Sequence, residues 1–195
     1  MRRSYMPTEA LSSGVLHGYL MPLLAVIVFG IFIIIAVMNT FITSKEYVAE
    51  IIAKDVKQLA QIMERIDQDC GILSFDNVKN RINFLNNITF ATSEVGPMNL
   101  IHPENWRGPY SDNPTVQNKE YIVVRTTKGH FITPDDGVEL PNGKVIGKDI
   151  ILNEDADIAA MMLQDNKLRF KGKMLAAPFE ISNKKRILVP IAEIL

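Results

Sequence analysis

Between Glu9 and Lys45 the chain carries no Asp, Glu, Lys or Arg. An uncharged stretch of that length with a solid aliphatic centre does not suit a fully water-soluble fold. Its heart is the 20-residue run Tyr19 to Met38, which extends through Asn39 and Thr40 to Phe41 and Ile42. About 20 apolar residues at 1.5 Å each cross roughly 30 Å of hydrocarbon, so the run matches a transmembrane helix. A secretory signal has a shorter apolar core of roughly 7–15 residues, followed by small residues for cleavage, and nothing like that follows Met38. A retained anchor is expected. Arg2 and Arg3 precede it, while Lys45, Lys54 and Lys57 follow it. The doubly basic short tail points to a cytoplasmic N-terminus, with the bulk of the chain outside.

The pattern does not end at the membrane. Val48, Ile52, Val56, Leu59, Met63, Ile66 and Cys70 recur at steps of four and three, one face of a helix. Charged and amide residues such as Lys54, Asp55, Glu64, Asp67 and Gln68 largely fill the other positions. No Pro or Gly interrupts Ile31 to Cys70, and Gly71 supplies a left-handed stop. Anchor and stalk therefore read as one rod of about 50 residues. The outer stripe needs a cover, either from the rest of the chain or from a neighbouring subunit.

Four segments follow: a basic leader-like tail over 1–18, a transmembrane helix over 19–42, its amphipathic continuation over 43–71, and a head over 72–195. The head reads as α+β. Ser74 is expected to cap a short helix through Asp76 to Leu85. An ordered loop is expected over 86–118. Glu120 to Thr126 reads as a strand, Lys128-Gly129 as a turn, and His130 to Thr133 as the returning strand. Pro141-Asn142-Gly143 marks a turn between Val138–Leu140 and Lys144–Ile146. Asp155 or Asp157 is expected to start a short helix through Ala159 to Leu163. Leu168–Phe170 and Arg186–Val189 are weaker strand candidates. The fold class expected is a long helix packed on a small, mainly antiparallel sheet.

Composition narrows the chemistry. Lys and Arg total 21 against 22 Asp and Glu, which gives no support to a nucleic-acid partner. One cysteine, Cys70, excludes an internal disulfide framework and Cys-rich metal sites. It lies on the apolar stripe, where a buried inert thiol is expected. The three histidines, His17, His102 and His130, form no ligand spacing, and no nucleophile or phosphate-loop motif is present. An enzyme is not expected.

Taken together, a short basic tail, Gly18-Tyr19, and an apolar helix running into an amphipathic rod resemble type IV pilins and the pseudopilins of type II secretion. Asn105-Trp106-Arg107-Gly108-Pro109-Tyr110 resembles the Trp-x-Gly-Pro-Tyr segment of major pseudopilins. Asp155-Ala156-Asp157-Ile158 resembles their Asp-Ala-Asp-Ile box, and Asp136-Gly137 the Asp-Gly of the loop before it. The resemblance implies several things. Gly18 and Tyr19 would be the leader-processing junction, Trp106, Gly108, Pro109 and Tyr110 a structural motif, and Asp136 and Asp157 candidate calcium ligands. The protein would be a single-pass subunit of the inner membrane, its head periplasmic, joined to identical or related subunits through its N-terminal helix in protein transport. The chain also departs from the family. Leu23 stands where the family has an assembly glutamate, Pro22 precedes it, and 37 residues follow Ile158. A second reading stays open: a membrane-tethered binding or sensory module, or an accessory subunit of a membrane complex.

Overall fold

The computed structural model describes residues 13–88, 94–111 and 121–182, with side chains from residue 20 onwards and those of 94 and 95 excepted. The leader-like tail up to residue 12, Glu120 and the strand candidate Arg186–Val189 lie outside the described residues.

Helix α1 runs from Ser13 to Cys70 and includes Pro22. Every residue from Asn39 to Glu46 is helical, as expected. The chain divides into two compact units, Met1–Ser44 and Lys45–Leu195. The amphipathic continuation of α1 therefore belongs to the head unit.

Within that unit the apolar stripe is covered by the chain's own head. Ile52, Val56, Leu59, Met63, Ile66 and Cys70 are buried in one cluster with residues of both larger sheets. Val48 departs from the expected stripe: it is 40% exposed, and Ala49 beside it is fully buried. Helical steps from Ile52 reach Ala49 at i−3 as readily as Val48 at i−4, and the smaller side chain occupies the inner position. Gly71 ends the helix with φ +68, and its N–H bonds Asp67 O at 2.9 Å. His102 N and Ile101 N close the carbonyls of Cys70 and Gly71 at 2.8 and 2.9 Å. The free carbonyls of the helix end thus find partners in the head.

The head is built on small antiparallel sheets. β1 (Ile72–Phe75), β3 (Glu94–Val95) and β4 (Met98–Leu100) form one, ordered β1-β4-β3. β2 (Lys79–Arg81), β5 (Tyr121–Thr126), β6 (Gly129–Pro134) and β9 (Ala177–Phe179) form another, ordered β2-β5-β6-β9. β7 (Arg169–Phe170) and β8 (Lys173–Met174) make a separate hairpin. β5 and β6 pair in the expected hairpin, from Tyr121 opposite Pro134 to Thr126 opposite Gly129. Tyr121 to Val124 are buried in succession, the sign of a central strand covered on both faces. The Pro141-Asn142-Gly143 turn forms, but its flanks pair only through a Glu139–Val145 bridge.

The expected helix over Asp76–Leu85 is overturned: this segment is β2 and its flanks. Asn80, Ile82 and Phe84 are buried while Arg81 and Asn83 are exposed, a period of two. The Asn80 side chain accepts from Asn77 N at 3.0 Å and donates to Asn77 O at 2.6 Å, diverting the backbone from helix into a turn. The expected loop over 86–118 contains strands β3 and β4, followed by a 3₁₀ turn at Pro103–Asn105. The short helix forms as α2, Ile158–Met161, and Asp157 is its cap, accepting from Ala160 N at 3.1 Å.

Candidate functional site

The surface with most functional content is the apolar part of α1. Every large apolar residue from Leu20 to Ile42 is exposed, from 47% at Ile42 to 70% at Met21. The stretch is long and apolar enough to cross a membrane. Two hydroxyls at its outer end are satisfied: Thr40 donates to Ala36 O at 2.9 Å and Thr43 to Asn39 O at 2.8 Å. Such back-bonding within the helix gives both donors a partner in an apolar surround. Leu23 is 58% exposed and brings no charge to this face. Gly18 and Tyr19 lie within α1, at the start of its apolar run.

The Trp-Arg-Gly-Pro-Tyr segment fastens the head to the far end of the same helix. Trp106 Nε1 donates to Asn87 O at 2.9 Å, and its ring meets Tyr110 edge-on at 4.7 Å. The Tyr110 hydroxyl donates to Asp69 Oδ2 at 2.8 Å, and Tyr110 N bonds Leu85 O at 2.8 Å. Arg107 lies 3.9 Å from the other Asp69 oxygen. Burial, followed by the hydrogen bond to Asp69, raises the Tyr110 phenol far above its usual range. Gly108 joins Pro109 through a cis peptide bond. A Cβ on Gly108 would overlap both Asn87 O and Trp106 Nε1, so only glycine fits. The motif picked out in the sequence is therefore a clasp across α1, the Phe84–Asn87 segment and the loop after β4.

The candidate calcium ligands are both engaged by lysines. Asp136 receives Lys79 Nζ at 2.6 and 2.8 Å. Asp157 is paired with Lys128 while it caps α2, and that bond holds its carboxyl below the usual carboxylate range. Among the described residues, no group of three His, Cys, Asp or Glu side chains could hold a metal ion. The two aspartates serve as ion-pair and capping groups here.

Three acidic residues of α1 escaped the sequence reading because they sat among the polar positions. Asp55 and Asp67 are only 8% and 4% exposed. Tyr121 donates its hydroxyl to Asp55 Oδ2 at 3.0 Å, and burial with the Asp55 charge beside it pushes the phenol far up. Asp67 accepts from Ile72 N at 2.8 Å and Ser182 N at 2.7 Å. Asp69 anchors the clasp. Cys70, by contrast, is where the sequence placed it: fully buried, with burial raising its thiol away from reactivity.

No protein-family model, curated protein or solved structure matches this chain.

Proposed function

We propose that this chain is a membrane-anchored structural subunit of pilin or pseudopilin type. Residues 19–42 lie in the bilayer and pack against identical or related helices, and the head stands on the outer side. The N-terminus is cytoplasmic, on the strength of Arg2 and Arg3. The work of such a protein is assembly in a secretion or pilus-type system, not catalysis.

One observation carries the reading. The second half of α1 spends its apolar stripe on its own head, while the first half leaves every large apolar side chain from Leu20 to Ile42 exposed. An exposed apolar surface of that extent marks a membrane or assembly face. The clasp at Trp106–Tyr110 supports the likeness to major pseudopilins, because the shared residues have a definite structural task.

N-terminal mass spectrometry on protein from native membranes tests the proposal. The mature chain is expected to begin at Tyr19, and Gly18→Ala should leave the longer form accumulating in the membrane. An intact Met1 overturns the pilin reading and leaves a tethered module whose helix is a stalk.

A further inference from the structure

We infer that the β7–β8 hairpin is a basic foot that rests on anionic lipid headgroups where the head emerges from the bilayer. The inference builds on the membrane-anchor reading above.

The hairpin and its approach read Lys167-Leu-Arg-Phe-Lys-Gly-Lys173, with four cations and no acid. Arg169 pairs with Met174 and Phe170 with Lys173, leaving Lys171 and Gly172 as a two-residue turn. Both turn residues have positive φ, +47 and +81. Tight hairpin turns of this type favour Asn or Gly at the first position, so a lysine there is held at some steric cost.

Ion pairs fix where the tip lies. Lys173 Nζ meets Glu50 Oε2 at 2.9 Å, and Lys171, one step further out, pairs with Glu46. The turn therefore lies beside Glu46, at the N-terminal end of the part of α1 that belongs to the head unit. Four residue steps lead from Glu46 back to Ile42, the last residue of the apolar run. Even fully extended they span at most about 14 Å, so the tip cannot be far from the headgroup layer. Lys45 is exposed at the same level, and Tyr47 is 66% exposed. Lysine and tyrosine are the residues that anchor at a membrane–water interface, with an apolar body and a wet, polar tip.

Charge decides the chemistry of the partner. Arg169, Lys171 and Lys173 pair with Asp165, Glu46 and Glu50, and Lys45 and Lys167 add two further cations, so these residues keep a positive excess although the whole chain is at −1. A phosphate-bearing surface suits this excess, since phosphates draw lysines near a bilayer away from weak, solvent-exposed ion pairs.

The test uses the full chain in vesicles of phosphatidylcholine alone, or with about a third phosphatidylglycerol. A nitroxide is placed at Met174→Cys. That site is 48% exposed, whereas the native Cys70 is buried and unreactive. Each unopposed lysine near an anionic surface is worth about fivefold in binding; with both partly paired, accessibility to a water-soluble nickel complex should fall about threefold in the anionic vesicles. The difference should vanish in 1 M salt and in Lys171→Gln/Lys173→Gln. Glu46→Gln/Glu50→Gln should enlarge it, a change that general unfolding of the hairpin would not produce. Equal accessibility in both vesicles, with the chain still floating with them in 1 M salt, overturns this inference alone. A chain that fails to float overturns the anchor reading as well.

Discussion

Asp67 is the most exacting test of how the head is held together. It sits in the last turn of α1, where a negative charge opposes the helix dipole. Its place is explained by two backbone donors, Ile72 N at 2.8 Å and Ser182 N at 2.7 Å. One carboxylate thus ties the helix end to the start of β1 and to the chain just after β9. Asp67→Ala leaves both amides without their acceptor. A stranded buried donor costs about 1–3 kcal/mol; with the Ser182 amide partly buried, the sum comes to about 3–4 kcal/mol. Asp67→Asn keeps one oxygen and turns an N–H₂ group towards the second amide, so about half that loss is expected. Trp106 is the chain's only tryptophan and is buried against Tyr110, so its fluorescence reports denaturant unfolding of the head in detergent. Amide exchange separates the two bonds: in Asp67→Asn only one of the Ile72 and Ser182 amides should lose protection. An Asp67→Ala protein within about 0.5 kcal/mol of wild type, the scatter of an ordinary surface change, would refute the argument.

Three further outcomes follow from the same geometry. Gly108→Ala should disrupt the clasp, because its Cβ overlaps Asn87 O and Trp106 Nε1; a loss of about 2 kcal/mol or more and a red-shifted Trp106 emission are expected. Lys128→Gln should raise the Asp157 titration midpoint followed by carbon NMR, since Lys128 is the main cause of its lowering. The Lys128 contribution is present above the usual aspartate range and lost as pH falls through the depressed value. For Tyr121 the sign reverses. Its raised phenol keeps its proton in the fold when the unfolded chain gives it up near pH 10, so stability should fall above that pH. Tyr121→Phe should be less stable than wild type at neutral pH, through loss of the Asp55 bond, yet show a shallower decline in alkali.

The sequence made some of this legible and hid the rest for physical reasons. The apolar run, the stripe on α1, the Gly71 stop and the β5–β6 hairpin follow local periodicity, and all appear in the structure. The segment after Ser74 misled because a capping serine and a polar stretch outweighed the alternation of Asn80, Ile82 and Phe84 with Arg81 and Asn83. β4 was hidden in a Pro- and Gly-punctuated region, although Met98 and Leu100 already alternate. Asp55 and Asp67 were invisible in another way. An acid on a helix looks solvated until the tertiary fold brings Tyr121, Ile72 and Ser182 to it, and these partners are as far as 115 positions away. The clasp lay between these cases: its motif was readable, and its contacts with Asp69 and Asn87 were not.

The two halves of α1 differ in what the head can do without. The compact unit begins at Lys45, so removing residues 1–44 takes away no buried side chain of the core cluster. Cutting before Ile72 instead removes Ala49, Ile52, Val56, Leu59, Ala60, Met63, Ile66 and Cys70, together with the carboxylates of Asp55, Asp67 and Asp69. Each large buried side chain is worth about 2–5 kcal/mol, so the five from Ile52 to Ile66 alone match or exceed a whole domain's usual stability of about 5–15 kcal/mol. A chain starting at Lys45 is therefore expected to be soluble and to melt cooperatively, with Trp106 buried as in the full protein. One starting at Ile72 should be unfolded. If the shorter fragment melted with the same cooperativity, the helix would be a stalk leaning on a finished domain, and the stripe and the three aspartates would need another purpose. If it does not, the exposed apolar part of α1 is continuous with a piece the head cannot fold without.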